Sequence, residues 1–372
     1  MKFTIITHVE HKSKEDVFYA YAPYVREMNL WLKHIDELEI VAPLSSNPIS
    51  KIDISYKHQH IIFRSIPSIE FTSVKTILTS IIKIPVILFQ LIKAFQKTDH
   101  IHLRCPGNIG LLGCIIQFFF PKKTKTAKYA GNWDPKSKQS FSYRLQKWLL
   151  SNTFLTRNIT VLVYGQWKNQ TKNIKSFFTA TYSENEISVP KSRNYSKALK
   201  FIFLGSLVEG KRPLLVIKII EALYKKGKEV SLEVYGEGVL SKELEDYIVN
   251  NNLEKRINLH GNREKNVIKN ALKEAHFLIL PSKSEGWPKA VAEAMFFGVI
   301  PISTLISCVP YMLDHGSRGI LIESSLDKAV KTIEETLNNG EKYLEKMSLE
   351  ASIWSQNYTL EAFETEIKEL LF

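Results

Sequence analysis

Short apolar runs rich in β-branched residues recur along the whole chain, separated by longer helical patterns. This alternation is the strongest constraint on what the chain can fold into. In the first half, Phe3–Val9, Leu38–Ala42, Ile61–Ile66, His100–Leu103, Thr126–Ala130 and Thr160–Tyr164 read as strands. A second series begins at Leu199–Leu204 and runs through Ser231–Tyr235, Ile257–His260, Phe277–Leu280, Val299–Ser303 and Gly319–Ile322. Alternation of this kind predicts parallel sheets with helices on both faces. The polar stretch 183–200 reads as a linker between the two series. A chain of 372 residues is too long for one ordinary core. The expected architecture is therefore α/β, with two Rossmann-like doubly wound domains, residues 1–185 and 199–354, facing each other across a cleft. The last helical patterns, Leu326–Leu337 and Lys342–Phe372, are interrupted around Ser352–Tyr358, and the helix of about residues 355–372 is expected to pack back on the first domain.

Three cysteines, Cys105, Cys114 and Cys308, show no metal spacing and are too few for a disulfide framework, which points to a reducing compartment. The run Met1–Thr7 reads as a strand rather than a signal peptide. Ile77–Phe95 is interrupted by Lys83, Pro85 and Lys93 and reads as a buried or interfacial helix, not a membrane span. The aromatic segment Tyr19–Trp31 has the spacing of an amphipathic helix packed on a sheet. Charge is informative once divided. Residues 1–200 carry 29 Lys and Arg against 13 Asp and Glu, a net +16, whereas residues 201–372 carry a net −4. No nucleic-acid motif accompanies the basic half, so an anionic membrane surface is the expected partner. The apolar run Leu111–Phe120, followed by Pro121-Lys122-Lys123-Thr124-Lys125, is the segment expected to meet it. The alternative is an ordinary core helix followed by a solvated lysine loop.

The richest chemistry follows the strand Phe277–Leu280. Pro281 and Ser282 end the strand, Glu285 and Gly286 form a turn, and Pro288 opens a helix. A helix start offers free N–H groups and the positive end of a dipole, which suit an anion such as a diphosphate. Glu285 and Glu293 flank this start, separated by roughly 12 Å if the segment were fully helical. Carboxylates are acceptors only, suited to the hydroxyls of a sugar.

The run Pro281–Pro301 resembles the signature of glycosyltransferase family 4, the group 1 transferases, which have the GT-B fold. Its Glu-x7-Glu pair matches Glu285 and Glu293, and Ala294, Met295, Gly298 and Pro301 match the positions that follow. The resemblance implies that Glu293 binds the donor ribose. It implies that Glu285 contacts the transferred sugar and stabilises its positive transition state. Backbone around Gly286, Trp287, Pro288, Lys289 and Ala290 would approach the sugar and diphosphate. It also implies a retaining reaction that needs no bound metal or other cofactor. A second segment, Phe203–Pro213, resembles the family's glycine turn at Gly205, with Lys211 matching a diphosphate-binding lysine. Ser206 stands where an arginine is usual, and Arg212 is the candidate replacement. Tyr235-Gly236-Glu237-Gly238 resembles a family turn, and His260–Arg263 lies where the family places the nucleobase.

The first half departs from the pattern. The first loop holds His8 and His11 but no glycine, and Arg104 replaces a sugar-contacting histidine. His8, His11, Arg104 and Asn132 are the candidate acceptor-side residues, with local structural roles as the alternative for each. Arg104 would grip a phosphate or pair with a nearby carboxylate. The implied function is transfer of a sugar from a nucleotide-sugar donor to a glycan or lipid-linked acceptor in cell-surface polysaccharide assembly. The setting would be the cytoplasm, peripheral on the inner membrane face. The rival readings are a nucleotide-sugar epimerase of the same fold and a non-catalytic sugar-nucleotide-binding protein.

Overall fold

The computed structural model describes residues 1–50, 52–70 and 73–372. The chain divides into two compact units, Met1–Phe178 with Phe363–Phe372, and Thr179–Ala362.

The first unit contains, in order, β1 (Lys2–Ile6), β2 (Lys12–Lys14), β3 (Val17–Tyr21), α1 (Ala22–Trp31), β4 (Glu37–Ala42), β5 (Asp53–Ser55), β6 (Ile61–Ser65) and α2 (Val74–Lys97). It continues with β7 (His100–Cys105), α3 (Asn108–Ile116), β8 (Thr124–Tyr129), α4 (Phe141–Ser151), β9 (Ile159–Tyr164) and β10 (Ile174–Phe177). Seven strands form a parallel sheet in the order β10-β9-β8-β7-β1-β4-β6. A small antiparallel sheet, β2-β3-β5, lies apart from it and was not expected from the sequence. Its first strand is short and polar, so Lys12-Ser13-Lys14 reads as loop, yet it pairs antiparallel with β3, and the Lys12–Asp53 ion pair, at 2.7 Å, ties it to β5. The sheet also corrects the helix expected over Tyr19–Trp31. Val17–Tyr21 is paired strand, and the helix begins only at Ala22, where Pro23 fits its first turn.

The second unit contains β11 (Leu199–Leu204), α5 (Pro213–Lys225), β12 (Val230–Tyr235), α6 (Ser241–Asn250), β13 (Ile257–Leu259), α7 (Lys265–Glu274) and β14 (Phe277–Leu280). It ends with α8 (Lys289–Phe296), β15 (Ile300–Thr304), α9 (Val309–Met312), β16 (Ile320–Ile322), α10 (Leu326–Leu337) and α11 (Glu341–Ser355). Its sheet is parallel throughout, in the order β13-β12-β11-β14-β15-β16. The last helix, α12 (Leu360–Leu371), places Phe363 against Phe177 and Phe178 in the core of the first unit.

The stretch expected to be a linker is instead packed onto the second unit. Arg193 is buried and its guanidinium donates to the carbonyls of Phe297 (2.8 Å) and Gly298 (2.9 Å), at the end of α8. A cation suits the negative end of a helix, and this one supplies donors that the last carbonyls otherwise lack. Gly298 has φ +68°, and a side chain there would collide with Pro190 and Ser348, so the close docking of this stretch depends on glycine.

Candidate active site

In a doubly wound sheet the ligand crevice lies where the strand order reverses, at the carboxyl ends of the two strands leading away in opposite directions. In the second unit those strands are β11 and β14. The loop after β11 holds Gly205, Ser206 and Lys211, and the loop after β14 holds Glu285 and Gly286. Topology alone therefore brings the two sequence motifs together. The Lys211 ammonium pairs with the Glu285 carboxylate, and Lys283 of the same loop pairs with Glu209. The Lys283 N–H donates to the Gly210 carbonyl at 2.8 Å, so backbone also joins the loops. Glu285 is nearly buried, whereas Lys211 keeps an exposed part of its side chain.

Arg212 does not join this pair. It adopts φ +53°, a left-handed conformation that turns its side chain away. Its guanidinium donates to the Pro281 carbonyl at 3.3 Å and to Ser324 Oγ at 2.5 Å. It braces the β14 loop instead of lying beside Glu285. Gly205 has room for a methyl group, but the next turn does not. A Cβ on Gly236 would lie 2.0 Å from the Gly205 carbonyl oxygen, and one on Gly238 would lie 2.3 Å from that of Leu207. The Gly-x-Gly turn is thus explained by the approach of one backbone to another.

Helix α8 starts after Pro288, and the first N–H groups of a helix have no partner within it. The ring of Trp287 is turned inward, stacked on Trp354 at 6.0 Å and edge-on to Tyr358 at 5.5 Å. It anchors the loop and leaves only backbone to face a ligand. On the first turn, Lys289 and Ala290 are partly exposed. One turn further, Glu293 accepts a hydrogen bond from Thr181 Oγ1 at 2.8 Å. Burial raises its pKa above the usual carboxylate range, opposed by the Thr181 bond and by Lys289 and Lys265.

The sequence reading missed what holds the β14 loop in shape. Four side chains at the end of β15 and just beyond it donate to its carbonyls. Ser303 Oγ reaches Leu280 O (2.8 Å), Thr304 Oγ1 reaches Ser282 O (2.6 Å), and Ser307 Oγ (3.3 Å) and Cys308 Sγ (3.0 Å) share Gly286 O. Burial pushes the Cys308 thiol up to about 12, so it stays a neutral donor. Replacing Ser307 and Cys308 together with alanine is expected to lower kcat on the order of fivefold, the worth of one hydrogen bond of about 1 kcal/mol. Steady-state kinetics beside thermal melting checks this: an unchanged kcat with a lowered melting point would make the pair purely structural.

At the ends of β12 and β13, the His260 ring stacks on Tyr235 at 4.6 Å and 15°, and its Nε2 pairs with Glu233. Glu237 accepts from the Asn262 backbone N–H at 3.4 Å and from its side chain at 3.1 Å.

The first unit has its own reversal point, between β1 and β7. His8 lies there, its ring so close to Gly107 that a Cβ would meet Nδ1 at 2.5 Å. Desolvation and the nearby Arg104 charge hold its pKa below the usual histidine value. The other acceptor-side candidates are occupied locally. His11 is fully buried, bonded to the Val9 carbonyl (2.8 Å) and the Tyr56 hydroxyl (2.7 Å), and burial lowers its pKa to about 4. It is a core histidine. Arg104 donates to Glu27 at 3.1 Å, and Glu27 also pairs with the fully buried Lys128 at 3.0 Å. Of the two partners considered for Arg104, the structure has the carboxylate. Asn132 closes a turn by accepting from the Asp134 N–H at 2.9 Å, with Trp133 packed edge-on against Tyr129. Among the described residues no group of three or more His, Cys, Asp or Glu side chains is placed to hold a metal ion.

Residues 184–352 match the family model described as glycosyl transferases group 1. An uncharacterized glycosyltransferase of Haemophilus influenzae is 29% identical over 160 residues, 42% of this chain and 44% of its own length. The amylovoran biosynthesis glycosyltransferase AmsK of Erwinia amylovora is 29% identical over 149 residues, 38% of this chain and 37% of its own. The chain thus spans less than half the length of the curated relatives it matches. In fold the likeness covers everything: the Anabaena protein HepE, solved with UDP, aligns with 100% of this chain and 99% of its own at a TM-score of 0.67 and 14% identity. The two parallel-sheet units are those of the GT-B fold.

Proposed function

We propose that the chain is a retaining glycosyltransferase. It takes a sugar from a nucleotide-sugar donor held by the second unit and passes it to a glycan or lipid-linked acceptor in cell-surface polysaccharide assembly. The observation that carries this reading is the Lys211–Glu285 pair at the reversal point of the second sheet, beside the start of α8. One cation and one carboxylate stand where a bond must separate charge. As the bond between the anomeric carbon and the diphosphate oxygen breaks, negative charge gathers on the leaving diphosphate and positive charge on the sugar ring. Lys211 and the N–H groups of the α8 start stabilise the first, and Glu285 stabilises the second. The acceptor hydroxyl forms the new bond and its proton passes to the departing diphosphate. Lys211 here does the work that a divalent cation does in other transferases, so the reaction needs no metal. The polysaccharide setting is supported by the named role of AmsK, and UDP is the first nucleotide to test because HepE was solved with it.

Thermal melting of the pure protein with UDP, GDP and ADP and their sugars tests the donor reading. A nucleotide present at 100 times its Kd should stabilise the fold by about 2.7 kcal/mol. No shift with any of them at millimolar concentration overturns the proposal.

A further inference from the structure

The segment expected to meet a membrane, Leu111–Phe120, is packed largely against the core of the first unit. Cys114 and Ile116 are core residues, Gln117 is buried, and of this run only Phe119 is largely exposed. Two of the three lysines that follow are also engaged: Lys123 donates to the Thr98 carbonyl (2.5 Å), and Lys125 is buried and caps the carbonyls of Phe120 (2.8 Å) and Lys123 (2.9 Å). The exposed apolar surface lies on α2 instead. This 24-residue helix is long and apolar enough to cross a bilayer by length and composition, yet only one of its faces is packed. Ile87, Leu91, Ala94 and Phe95 enter the core of the first unit. On the opposite face Leu78 is 60%, Ile82 77% and Phe89 53% exposed, with Ile81 and Val86 open between them. A helix that is apolar all round has a second apolar environment to meet, and a patch of this size on a soluble domain marks an interaction surface.

Charge identifies the partner. Helix α2 contains four lysines, Lys75, Lys83, Lys93 and Lys97, and no acidic residue. Residues 71–158, which include α2, α3 and α4, hold fourteen Lys and Arg against only Asp99 and Asp134. That excess equals the net charge of the entire chain, +12. The three helices share one hydrophobic core against the sheet, and the same layer exposes Trp148. The Lys93 ammonium sits 4.3 Å over the Phe89 ring, a cation held at the margin of the apolar stripe. Glu70, bonded through its backbone to Ser80, is an exposed carboxylate beside the helix, against four lysines on it. Apolar side chains rimmed by an excess of lysines match the boundary between the headgroups and acyl chains of an anionic bilayer.

We propose that α2 is a docking surface for an anionic phospholipid membrane. The helix lies along the surface with Leu78, Ile82 and Phe89 in the acyl boundary and its lysines among the headgroups, while its other face stays in the protein core. This deepens the reading of a lipid-linked acceptor and rests on it for its purpose. The binding itself is measured without any transfer, so either can fail alone.

The test is flotation of the full chain with vesicles of phosphatidylglycerol and phosphatidylethanolamine, compared with vesicles of phosphatidylcholine alone. Binding is expected to the anionic vesicles, weakening as salt rises. Ile82→Glu together with Phe89→Glu should reduce partitioning about 100-fold, roughly tenfold for each side chain withdrawn from the apolar phase. Both positions are exposed, so circular dichroism and melting should match the wild type. A second variant, Lys75→Gln with Lys93→Gln, should remove part of the salt-sensitive binding. Absence of binding by the wild type overturns the proposal, as does undiminished binding by the double glutamate variant. Self-association that is abolished by that variant, without vesicle binding, assigns the face to a second copy of the chain and equally overturns it.

Discussion

In a Glu285→Gln variant, sugar transfer is expected to fall about 100- to 1000-fold, the usual loss when one preorganised group is removed from a site of developing charge. The amide keeps the shape of the carboxylate and removes only its charge, so melting should change little. Binding of the nucleoside diphosphate should behave in the opposite sense. In the ligand-free protein Lys211 already has an anion, the Glu285 carboxylate. A diphosphate must share that cation or displace its partner. Removing the carboxylate releases Lys211, so calorimetry should find nucleoside diphosphate affinity equal to or higher than that of the wild type. A fall in both turnover and affinity would place Glu285 in holding the donor, not in its activation. Retained turnover would remove Glu285 from the chemistry altogether.

The second large effect is expected at Glu293, and it concerns binding. Glu293→Ala should weaken donor affinity roughly 10- to 150-fold, the equivalent of a hydrogen bond to a charged acceptor, about 1.5–3 kcal/mol. Thr181→Val, which removes the donor that steadies this carboxylate, should have the same sign and a smaller size. Glu293 also makes binding pH-dependent. Its pKa is raised by burial, so it takes up a proton at a higher pH than an ordinary carboxylate does. Below that pH it loses the charge that ribose hydroxyls donate to, and donor affinity should decline as pH falls. A Glu293→Gln variant has nothing to titrate there and should show a flatter profile over the same range. Calorimetric titration across acidic to neutral pH distinguishes the two, and identical profiles would remove Glu293 from the donor site.

The central strands of both sheets were legible because each is a short apolar run bounded by turn residues, the pattern that burial on both faces imposes. Leu199–Leu204, Phe277–Leu280 and Leu326–Leu337 have the bounds the sequence suggested, and the others differ by a residue or a few. Lys12-Ser13-Lys14 was not legible, since three polar residues carry no strand pattern and become a strand only by pairing with Val17–Tyr21, a segment that itself read as the start of a helix. The stretch 183–200 misled for the opposite reason. Its polar composition suggests a solvated linker, whereas Arg193 spends its charge on the carbonyls of a helix end. In the candidate site, the meeting of Lys211 and Glu285 follows from strand order and could be anticipated. The backbone conformation at Arg212 could not, because a left-handed arginine carries no local signal. His11 and Arg104 were plausible ligands by residue type. The partners they have in the structure, Tyr56 and Glu27, are supplied by distant parts of the chain.

The hydroxyls and thiol that grip the carbonyls of the β14 loop bear on how mutational data for this protein should be read. Ser303 and Thr304 lie within a buried strand, where sensitivity to substitution is ordinarily credited to folding. A library scored for abundance and for transfer would separate two kinds of position. Ile300 and Ile302, in the same strand, should fail both screens together. At Ser307 and Cys308, abundance should survive while transfer falls. Their profile would look like that of an active-site residue, although each acts through a carbonyl of the loop.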